Sequence, residues 1–364
     1  MSANQILFTP FRIKNLTLPN RIVMAPMTRS HSPGGVPGEN VAAYYARRAQ
    51  NGVGLILTEG TGPSPEALND PNVPNFYEDA ALAGWKRVEQ AVHQAGGLIM
   101  PQLWHVGMRR KPGDLPNPEA RPLGPSGLAE AGKPVNEPMT EAEIARVIEA
   151  YAAAAANAER LGFDGIEIHG AHGYLIDQFF YAGTNLRNDT FGGGITQRTR
   201  FACDVVRACR RAVKPEFPIL LRFSQWKGFD YSARLVTTPQ ELATFLDPLV
   251  DAGVDVFHCS TRRFWEPEFV GSRLNLAGWT KKLTGKPVIT VGSVGLDADF
   301  VTSFRERKDA GVAPIDVLVD MIGSGEVDLV AVGRALLSDP AWAAKVRDGQ
   351  ELAPFDAATL KVLT

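Results

Sequence analysis

The sequence predicts an α/β fold, a single (β/α)8 TIM barrel, on three observations. Short β-branched runs alternate with longer helical runs along the chain, the order expected for parallel strands joined by crossover helices. Eight such units can be counted, which favours a closed barrel over an open doubly wound sheet. The length of 364 residues is ordinary for one barrel with insertions, so residues 1–364 are expected to form one domain.

The candidate strands are nearly continuous apolar runs, as expected for strands buried on both faces. They lie at 21–27, 53–59, 98–104, 163–170, 218–224, 255–261, 287–293 and 328–334. Helical segments precede the second, third and fourth strands, at 40–50, 79–96 and 140–162. The third of these opens with Thr140 and Glu143, which are spaced as a capping box.

Three segments depart from this alternation. Residues 7–20, before the first strand, read as an N-terminal β-hairpin that closes the barrel floor. Residues 105–139 and 262–275 form long loops after strands three and six. Long ordered loops after barrel strands usually cover an active site.

Composition narrows the class of protein. The net charge is −2, so no electrostatic attraction to nucleic acid or to an anionic membrane is expected. No apolar run reaches roughly 18 residues, and the N-terminus lacks the pattern of a secretory signal. The three cysteines form no CxxC pair, which argues against zinc or iron–sulfur binding and fits a reducing cytoplasm. A monomer and a homodimer both remain open.

The fourth strand end carries the most reactive side chains. His169 and His172 can donate hydrogen bonds to one developing oxyanion. Tyr174 offers a phenol that can deliver a proton to carbon. Two alternatives stay open: a metal site completed by Glu167 or Asp177, and core histidines satisfied by hydrogen bonds.

Gln102 and Arg222 are polar residues on otherwise apolar strands, so each needs a partner. A flavin pyrimidine ring has both donor and acceptor edges, and an arginine beside it could stabilise negative charge on the ring. The alternative for Gln102 is a packing residue bonded to backbone.

The ends of strands seven and eight predict a phosphate site. Glycine lets backbone N–H groups approach an anion closely, and arginine offers a planar fork. The candidates are Gly292, Ser293, Gly333 and Arg334. Tight turns without a ligand are the alternative.

Nine stretches resemble the old yellow enzyme family, in the family's order, from about residue 6 to about residue 345. They are MAPMTR (24–29), LTEGT (57–61), PQLWH (101–105), HGAHGYLIDQFF (169–180), NLRNDTFGGG (185–194), RTRF (198–201), LRFS (221–224), VGSVG (291–295) and AVGRALLSDP (331–340). The HxxHxY element together with AVGRALLSDP is the most specific part of the resemblance.

The resemblance implies FMN at the top of the barrel. Ring contacts are implied for Pro26, Met27, Thr28, Gly60, Gln102 and Arg222, and phosphate contacts for Gly292, Ser293, Gly333 and Arg334. His169 and His172 would bind the substrate oxygen and Tyr174 would donate the proton.

The implied activity is ene reduction. NADPH or NADH would reduce FMN and leave, and a small activated alkene would then take a hydride at its β-carbon. No GxGxxG segment is present, so nicotinamide would bind transiently over the flavin. Trp104, Tyr181 and Trp265 are candidates for the substrate pocket, because large aromatic faces suit flat apolar substrates.

Three other functions compete. Reduction of nitro compounds or nitrate esters is the nearest, since the same oxyanion site could hold a nitro group. A TIM-barrel aldolase needs a metal set or a lysine at a strand end, and Lys227 is predicted to lie three residues beyond strand five. A flavin-binding protein without turnover is the third.

Overall fold

Eight parallel strands close into a barrel in the computed structural model, which describes residues 3–300, 303 and 306–364. Each barrel strand lies beside the barrel strands that precede and follow it in the chain, and the last pairs with the first. Their bounds are Ile22–Met24 (β3), Leu55–Thr61 (β4), Leu98–Leu103 (β5), Ile166–His172 (β8), Ile219–Lys227 (β9), Val256–Ser260 (β10), Val288–Val291 (β11) and Leu329–Val332 (β12). The predicted TIM barrel and all eight predicted strands are therefore confirmed.

Helices surround the barrel. They are Glu39–Gln50 (α1), Asp79–Gln94 (α2), Glu141–Leu161 (α3), Leu175–Phe180 (α4), Ile195–Arg198 (α5), Arg200–Ala212 (α6), Pro239–Ala252 (α7), Leu276–Thr284 (α8), Asp316–Gly323 (α9), Arg334–Ser338 (α10) and Trp342–Asp348 (α11). The predicted capping box on α3 is confirmed, because the Thr140 side chain accepts from the Glu143 N–H and the Glu143 side chain binds the Thr140 N–H. Reciprocal bonds of this kind satisfy donors that a helix start otherwise leaves free.

The N-terminal hairpin consists of Phe11–Ile13 (β1) and Leu16–Leu18 (β2), paired antiparallel. Ile13 and Leu18 are buried in the same apolar cluster as inward-facing barrel residues such as Val23 and Leu220. The hairpin therefore closes the floor of the barrel with apolar side chains, as predicted.

Two short strands, Leu128–Glu130 (β6) and Lys133–Pro134 (β7), form a second antiparallel pair inside the long loop after β5. From the sequence, residues 105–139 were expected to form a long ordered loop, with no strand pairing predicted within it. The pairing gives part of it regular structure on the side of the barrel where the strands end.

The barrel interior changes from apolar to polar along the strands. Near the floor it is lined by residues such as Leu55, Leu220 and Val256. Nearer the mouth, inward positions carry a polar layer, defined here as Gln102, Glu167, Arg222, His258 and Ser260, all buried. Because residues i and i+2 of a strand share a face, this layer sits directly above the apolar floor.

Candidate active site

The end of β8 is irregular, and this irregularity positions the histidines. The pairing of β8 with β9 shifts register between Gly170 and His172. His172 has φ of 64°, in the left-handed region that residues other than glycine rarely adopt. A bulge of this kind re-aims a side chain at a strand end.

The structure brings the three predicted reactive side chains together. The rings of His169 and His172 lie 5.1 Å apart, centroid to centroid, and those of His169 and Tyr174 also lie 5.1 Å apart. Trp104 packs edge-on against Tyr174 at 5.0 Å. Trp226 stacks on His172 at 4.4 Å. The result is one aromatic-walled group of two imidazoles and a phenol, called the His–Tyr cluster below.

His169 is held in a defined protonation state. Its Nδ1 accepts a hydrogen bond from the Ala171 N–H at 3.2 Å, so the ring proton of a neutral His169 is on Nε2. Burial, followed by the charge of Arg222, lowers the pKa of His169 well below its ordinary value. His169 is therefore a neutral imidazole whose Nε2–H can donate.

His172 is also neutral, since burial and then Arg222 lower its pKa well below the ordinary value. Its backbone N–H donates to Ser224 Oγ at 3.0 Å. Its Nε2 lies 2.8 Å from Ser260 Oγ. The ring is thus fixed from both its backbone and its side chain.

Tyr174 keeps its proton at neutral pH. Burial raises the pKa of its phenol above the ordinary value, with Arg109 acting in the opposite direction. Within the described part of the chain its hydroxyl has no hydrogen-bond partner, so it is available to a ligand. Tyr174 precedes α4, whose first residue Leu175 donates its N–H to the His105 carbonyl at 3.1 Å.

Gln102 and Glu167 face each other across β5 and β8. Gln102 Nε2 donates to Glu167 Oε1 at 2.7 Å, and Glu167 Oε2 lies 2.6 Å from His258 Nδ1. Because a carboxylate only accepts, the Gln102 amide nitrogen must face Glu167. Its carbonyl oxygen is left, among the described residues, without a donor.

Arg222 pairs in register with both His169 and His258. Its Nη2 donates to Ser260 Oγ at 3.3 Å, while its Nε is buried without a partner among the described residues. Burial lowers the pKa of Arg222, and Glu167 opposes that effect. A buried guanidinium with an unused donor is the expected counterpart of an anionic or carbonyl-bearing ligand.

The predicted phosphate residues also come together. Arg334 Nη2 donates to Ser293 Oγ at 3.3 Å and to the Ala298 carbonyl at 2.6 Å. Gly292 has φ of 144°, and a Cβ there would lie 2.7 Å from the Thr261 carbonyl oxygen. Burial lowers the pKa of Arg334 to about 10, so it keeps its positive charge at neutral pH.

Pro26, Met27 and Thr28 follow β3 after one intervening residue, Ala25, and Thr28 is exposed. A Cβ on Gly333 would lie 3.6 Å from the Met27 sulfur, so the β3 and β12 ends are adjacent. A Cβ on Gly60 would lie 2.6 Å from the Trp104 ring. Gly60 is therefore needed for the close packing of Trp104 beside the strand end.

Glu59, next to Gly60, supports the segment that carries Thr28. Its Oε2 accepts from the N–H groups of Arg29 at 2.9 Å and Ser30 at 3.1 Å. Its Oε1 is buried without a partner among the described residues. Burial raises the pKa of Glu59 to about 7.

Lys227 requires a correction. The sequence placed it three residues beyond the fifth barrel strand, whereas β9 runs on to Lys227, because the pairing with β8 resumes after the bulge. Its Nζ lies 2.6 Å from Asp177 Oδ1, and both side chains are fully buried. An amine held in this ion pair is not the free nucleophile that an aldolase needs.

The carboxylates considered as metal ligands have other partners. Asp177 binds Lys227 and the Gly173 N–H, and Glu167 binds Gln102 and His258. No group of His, Cys, Asp and Glu arranged for a metal occurs in the described ranges.

Two of the predicted pocket residues make no hydrogen bond or ring contact with the His–Tyr cluster among the described residues. Tyr181 lies beside Lys227, whose Nζ is 5.4 Å from its ring. Trp265 is 41% exposed and packs edge-on against Phe264. Trp104 alone of the three packs against the cluster, through Tyr174.

Ser260 was not singled out from the sequence, yet it links His172 to Arg222. The signal was present, because His258 and Ser260 are polar residues two apart on a buried strand, so both face the interior.

These observations define a class of protein: a TIM barrel whose mouth holds a buried arginine beside a glycine turn, a polar layer, and an aromatic-walled group of two neutral imidazoles and a phenol. Residues 6–353 match the model of the NADH:flavin oxidoreductase / NADH oxidase family. A flavin oxidoreductase of Emericella nidulans is 32% identical over 99% of this chain and 95% of its own length.

Solved structures of related enzymes superpose on most of this chain. Morphinone reductase in complex with tetrahydroNAD superposes with a TM-score of 0.82 at 30% identity, covering 97% of this chain and 93% of that one. The old yellow enzyme homologue from Zymomonas mobilis gives 0.80 at 28% identity, covering 98% and 97%. The chain belongs to the old yellow enzyme family, the FMN-dependent NADH:flavin oxidoreductases, and is an NAD(P)H-dependent oxidoreductase.

The residues present fit FMN. The unused Arg222 Nε and the free Gln102 carbonyl oxygen provide a donor and an acceptor, which match a ring with both kinds of edge. No described helix is long and apolar enough to cross a bilayer.

Proposed function

We propose that this protein is an ene-reductase that acts on small activated alkenes, namely α,β-unsaturated carbonyl compounds or nitroalkenes. The observation that carries the proposal is the His–Tyr cluster. The neutral imidazole of His172 and the protonated phenol of Tyr174 each lie 5.1 Å, centroid to centroid, from the neutral imidazole of His169. Neutral donors can stabilise negative charge that develops on a substrate oxygen.

In this proposal His169 and His172 bind the carbonyl or nitro oxygen of the alkene. The Nε2–H of His169 is free to donate, because Nδ1 is already used by the Ala171 N–H. Withdrawal of electron density toward that oxygen makes the β-carbon electrophilic. Tyr174 delivers the proton to the α-carbon from its hydroxyl, which has no protein partner among the described residues.

FMN would be held by Pro26, Met27, Thr28, Gly60, Gln102 and Arg222 at the ring, and by Gly292, Ser293, Gly333 and Arg334 at the phosphate. When bound, it supplies the hydride chemistry between NADPH or NADH and the alkene. The chain positions both reactants and excludes water with Trp104 and Trp226, which pack against the cluster.

The first test is a visible spectrum of the purified protein. We expect a yellow protein that bleaches when NADPH or NADH is added without oxygen and regains its colour with cyclohexenone. A protein that stays colourless after FMN is added would overturn the proposal. Bleaching with no return of colour for enones or nitroalkenes would overturn the substrate class.

Tyr174→Phe tests the proton donor. Alkene reduction is expected to slow by about 10²–10⁴-fold, while bleaching by NADPH stays near the wild-type rate, since that half-reaction needs no proton from Tyr174. Stopped-flow measurement of both half-reactions separates the two.

Tyr77→Phe is the control, because Tyr77 is a phenol outside the His–Tyr cluster and both rates should be unchanged. Equal losses in the two half-reactions of Tyr174→Phe would rule out Tyr174 as the donor.

A further inference from the structure

Ser260 occupies a buried position between two residues of the site. Its Oγ lies 2.8 Å from His172 Nε2 and 3.3 Å from Arg222 Nη2. The residue is 2% exposed. Its backbone carbonyl accepts from Trp226 Nε1 at 3.2 Å, and Trp226 stacks on the His172 ring. Ser260 therefore contacts His172 directly and also holds the ring that packs on it.

The hydrogen-bond roles around Ser260 Oγ follow from chemistry. A guanidinium can only donate, so Oγ accepts from Arg222. A hydroxyl also carries one proton, and a buried proton without an acceptor is costly. Among the described residues, His172 Nε2 is the only acceptor within reach of that hydroxyl.

We propose that Ser260 is a positioning residue that fixes neutral His172 in the tautomer with its proton on Nδ1. Ser260 donates to Nε2, and the single ring proton of His172 is left on Nδ1. In the other tautomer, His172 would spend its only N–H on Ser260 and would have none for a substrate oxygen.

The two histidines are then opposite tautomers. The backbone N–H of Ala171 occupies Nδ1 of His169 and leaves Nε2–H, whereas the Ser260 hydroxyl occupies Nε2 of His172 and leaves Nδ1–H. Nδ1 of His172 has no hydrogen-bond partner within the described ranges. Each ring thus keeps one N–H for the same ligand, and the chain provides two donors without a net charge on either imidazole.

The inference deepens the proposed function, since it specifies which atom of His172 would bind the substrate oxygen. Its main test does not depend on turnover. Ring-¹⁵N-labelled histidine is incorporated into the FMN-bound protein, and nitrogen chemical shifts and couplings report which ring nitrogen carries the proton. The signal of His172 among the six histidines is assigned by its loss in His172→Asn.

We expect Nδ1–H for His172 and Nε2–H for His169 in the wild-type protein. Nε2–H for His172 would overturn the inference without any variant. In Ser260→Ala, His172 should shift toward Nε2–H while His169 is unchanged, which also shows that the site has kept its structure. Ser260→Thr keeps the hydroxyl and should keep Nδ1–H, and an unchanged tautomer in Ser260→Ala would overturn the inference.

Binding of an oxyanion gives the second readout. The dissociation constant of 4-nitrophenolate should rise about fivefold in Ser260→Ala, the loss of roughly one hydrogen bond, and return toward the wild-type value in Ser260→Thr. An unchanged constant in Ser260→Ala, with weakened binding in His172→Ala, would overturn the inference. If binding is equal in wild-type, His169→Ala and His172→Ala proteins, the proposed oxygen site fails, and the tautomer is still decided by the nitrogen shifts.

Discussion

The two sides of the barrel mouth treat buried polar atoms differently. On the β8–β9 side, Lys227 and Asp177 are fully buried and bonded to each other, and Asp177 also accepts from the Gly173 N–H. On the β4–β5 side, Glu59 Oε1 and Trp104 Nε1 are buried without partners among the described residues. The Lys227–Asp177 pair is completed by the chain itself, whereas Arg222 Nε, deeper on β9, has no partner among the described residues. The β4–β5 side adjoins Gly60 and Thr28, where a ligand is expected, and a polar atom left unpaired there marks a contact that the chain alone does not make.

Lys227→Met tests the contribution of the buried Lys227–Asp177 pair to stability, and it has the largest expected effect. It leaves the Asp177 carboxylate buried and uncompensated, so the free energy of unfolding should fall by about 3–5 kcal/mol. Urea denaturation at constant FMN concentration measures this. Arg347→Ala removes the exposed pair with Asp348 and is the control, with no measurable change expected in the free energy of unfolding.

The double variant Lys227→Met with Asp177→Leu sharpens the same point. Replacing both charges by apolar groups removes the uncompensated carboxylate, so part of the lost stability should return. A double variant less stable than Lys227→Met would mean that Asp177 acts mainly through Gly173 rather than through Lys227.

Glu59→Gln tests the buried carboxyl group of Glu59 through the pH dependence of stability. The folded pKa of Glu59 is raised from 4.5 to about 7 by burial, so the folded state binds its proton more tightly than the unfolded state. Above pH 7, where Glu59 is ionised in both the folded and the unfolded state, its burial therefore lowers the free energy of unfolding. Below pH 4.5, where it is protonated in both states, this penalty disappears. Between these values the stability of the wild type relative to Glu59→Gln should fall as pH rises, by on the order of 3 kcal/mol in total.

Glutamine is the matched replacement, because its carbonyl oxygen can still accept from the Arg29 and Ser30 N–H groups. Glu268, whose pKa burial also raises to about 7, is present in both proteins and cancels in the difference. A difference that stays flat with pH would mean that Glu59 remains ionised throughout.

The smallest expected effect is that of Trp104→Phe compared with Trp85→Phe. Both indoles are buried, but Trp85 Nε1 donates to the Asn75 carbonyl at 3.0 Å, whereas Trp104 Nε1 finds no partner in the described part of the chain. Trp104→Phe should therefore be the milder change, by about 1 kcal/mol in the free energy of unfolding. Equal losses for the two variants would mean that the unpaired indole N–H carries no cost.

The fold could be predicted from the sequence because its signals are local. Eight apolar runs, the helices between them and the capping box at Thr140 each depend on residues close together in the chain. The proximity of His169, His172 and Tyr174 was also predictable, because all three follow one another at the end of a single strand. These are the parts of the structure that a short stretch of sequence specifies by itself.

The rest depends on how neighbouring strands meet. The bulge at Gly170–His172 has no recognisable signature in the sequence. It nevertheless changes the direction of the His172 side chain, and after it β8 pairs again with β9, at Lys227. Ser260 becomes important only because β10 lies beside β9 and so brings its hydroxyl to Arg222 and His172. Tyr181 was a pocket candidate on its aromatic character alone, and the structure places it beside Lys227.

The hairpin of β1 and β2 seals one end of the barrel with Ile13 and Leu18. Under the proposed function, both reactants would therefore enter at the open end of the barrel and bind there in turn. At high concentration, each reactant would then block the binding of the other. Competition between the two reactants at the open end would therefore limit the turnover rate when either one is in large excess.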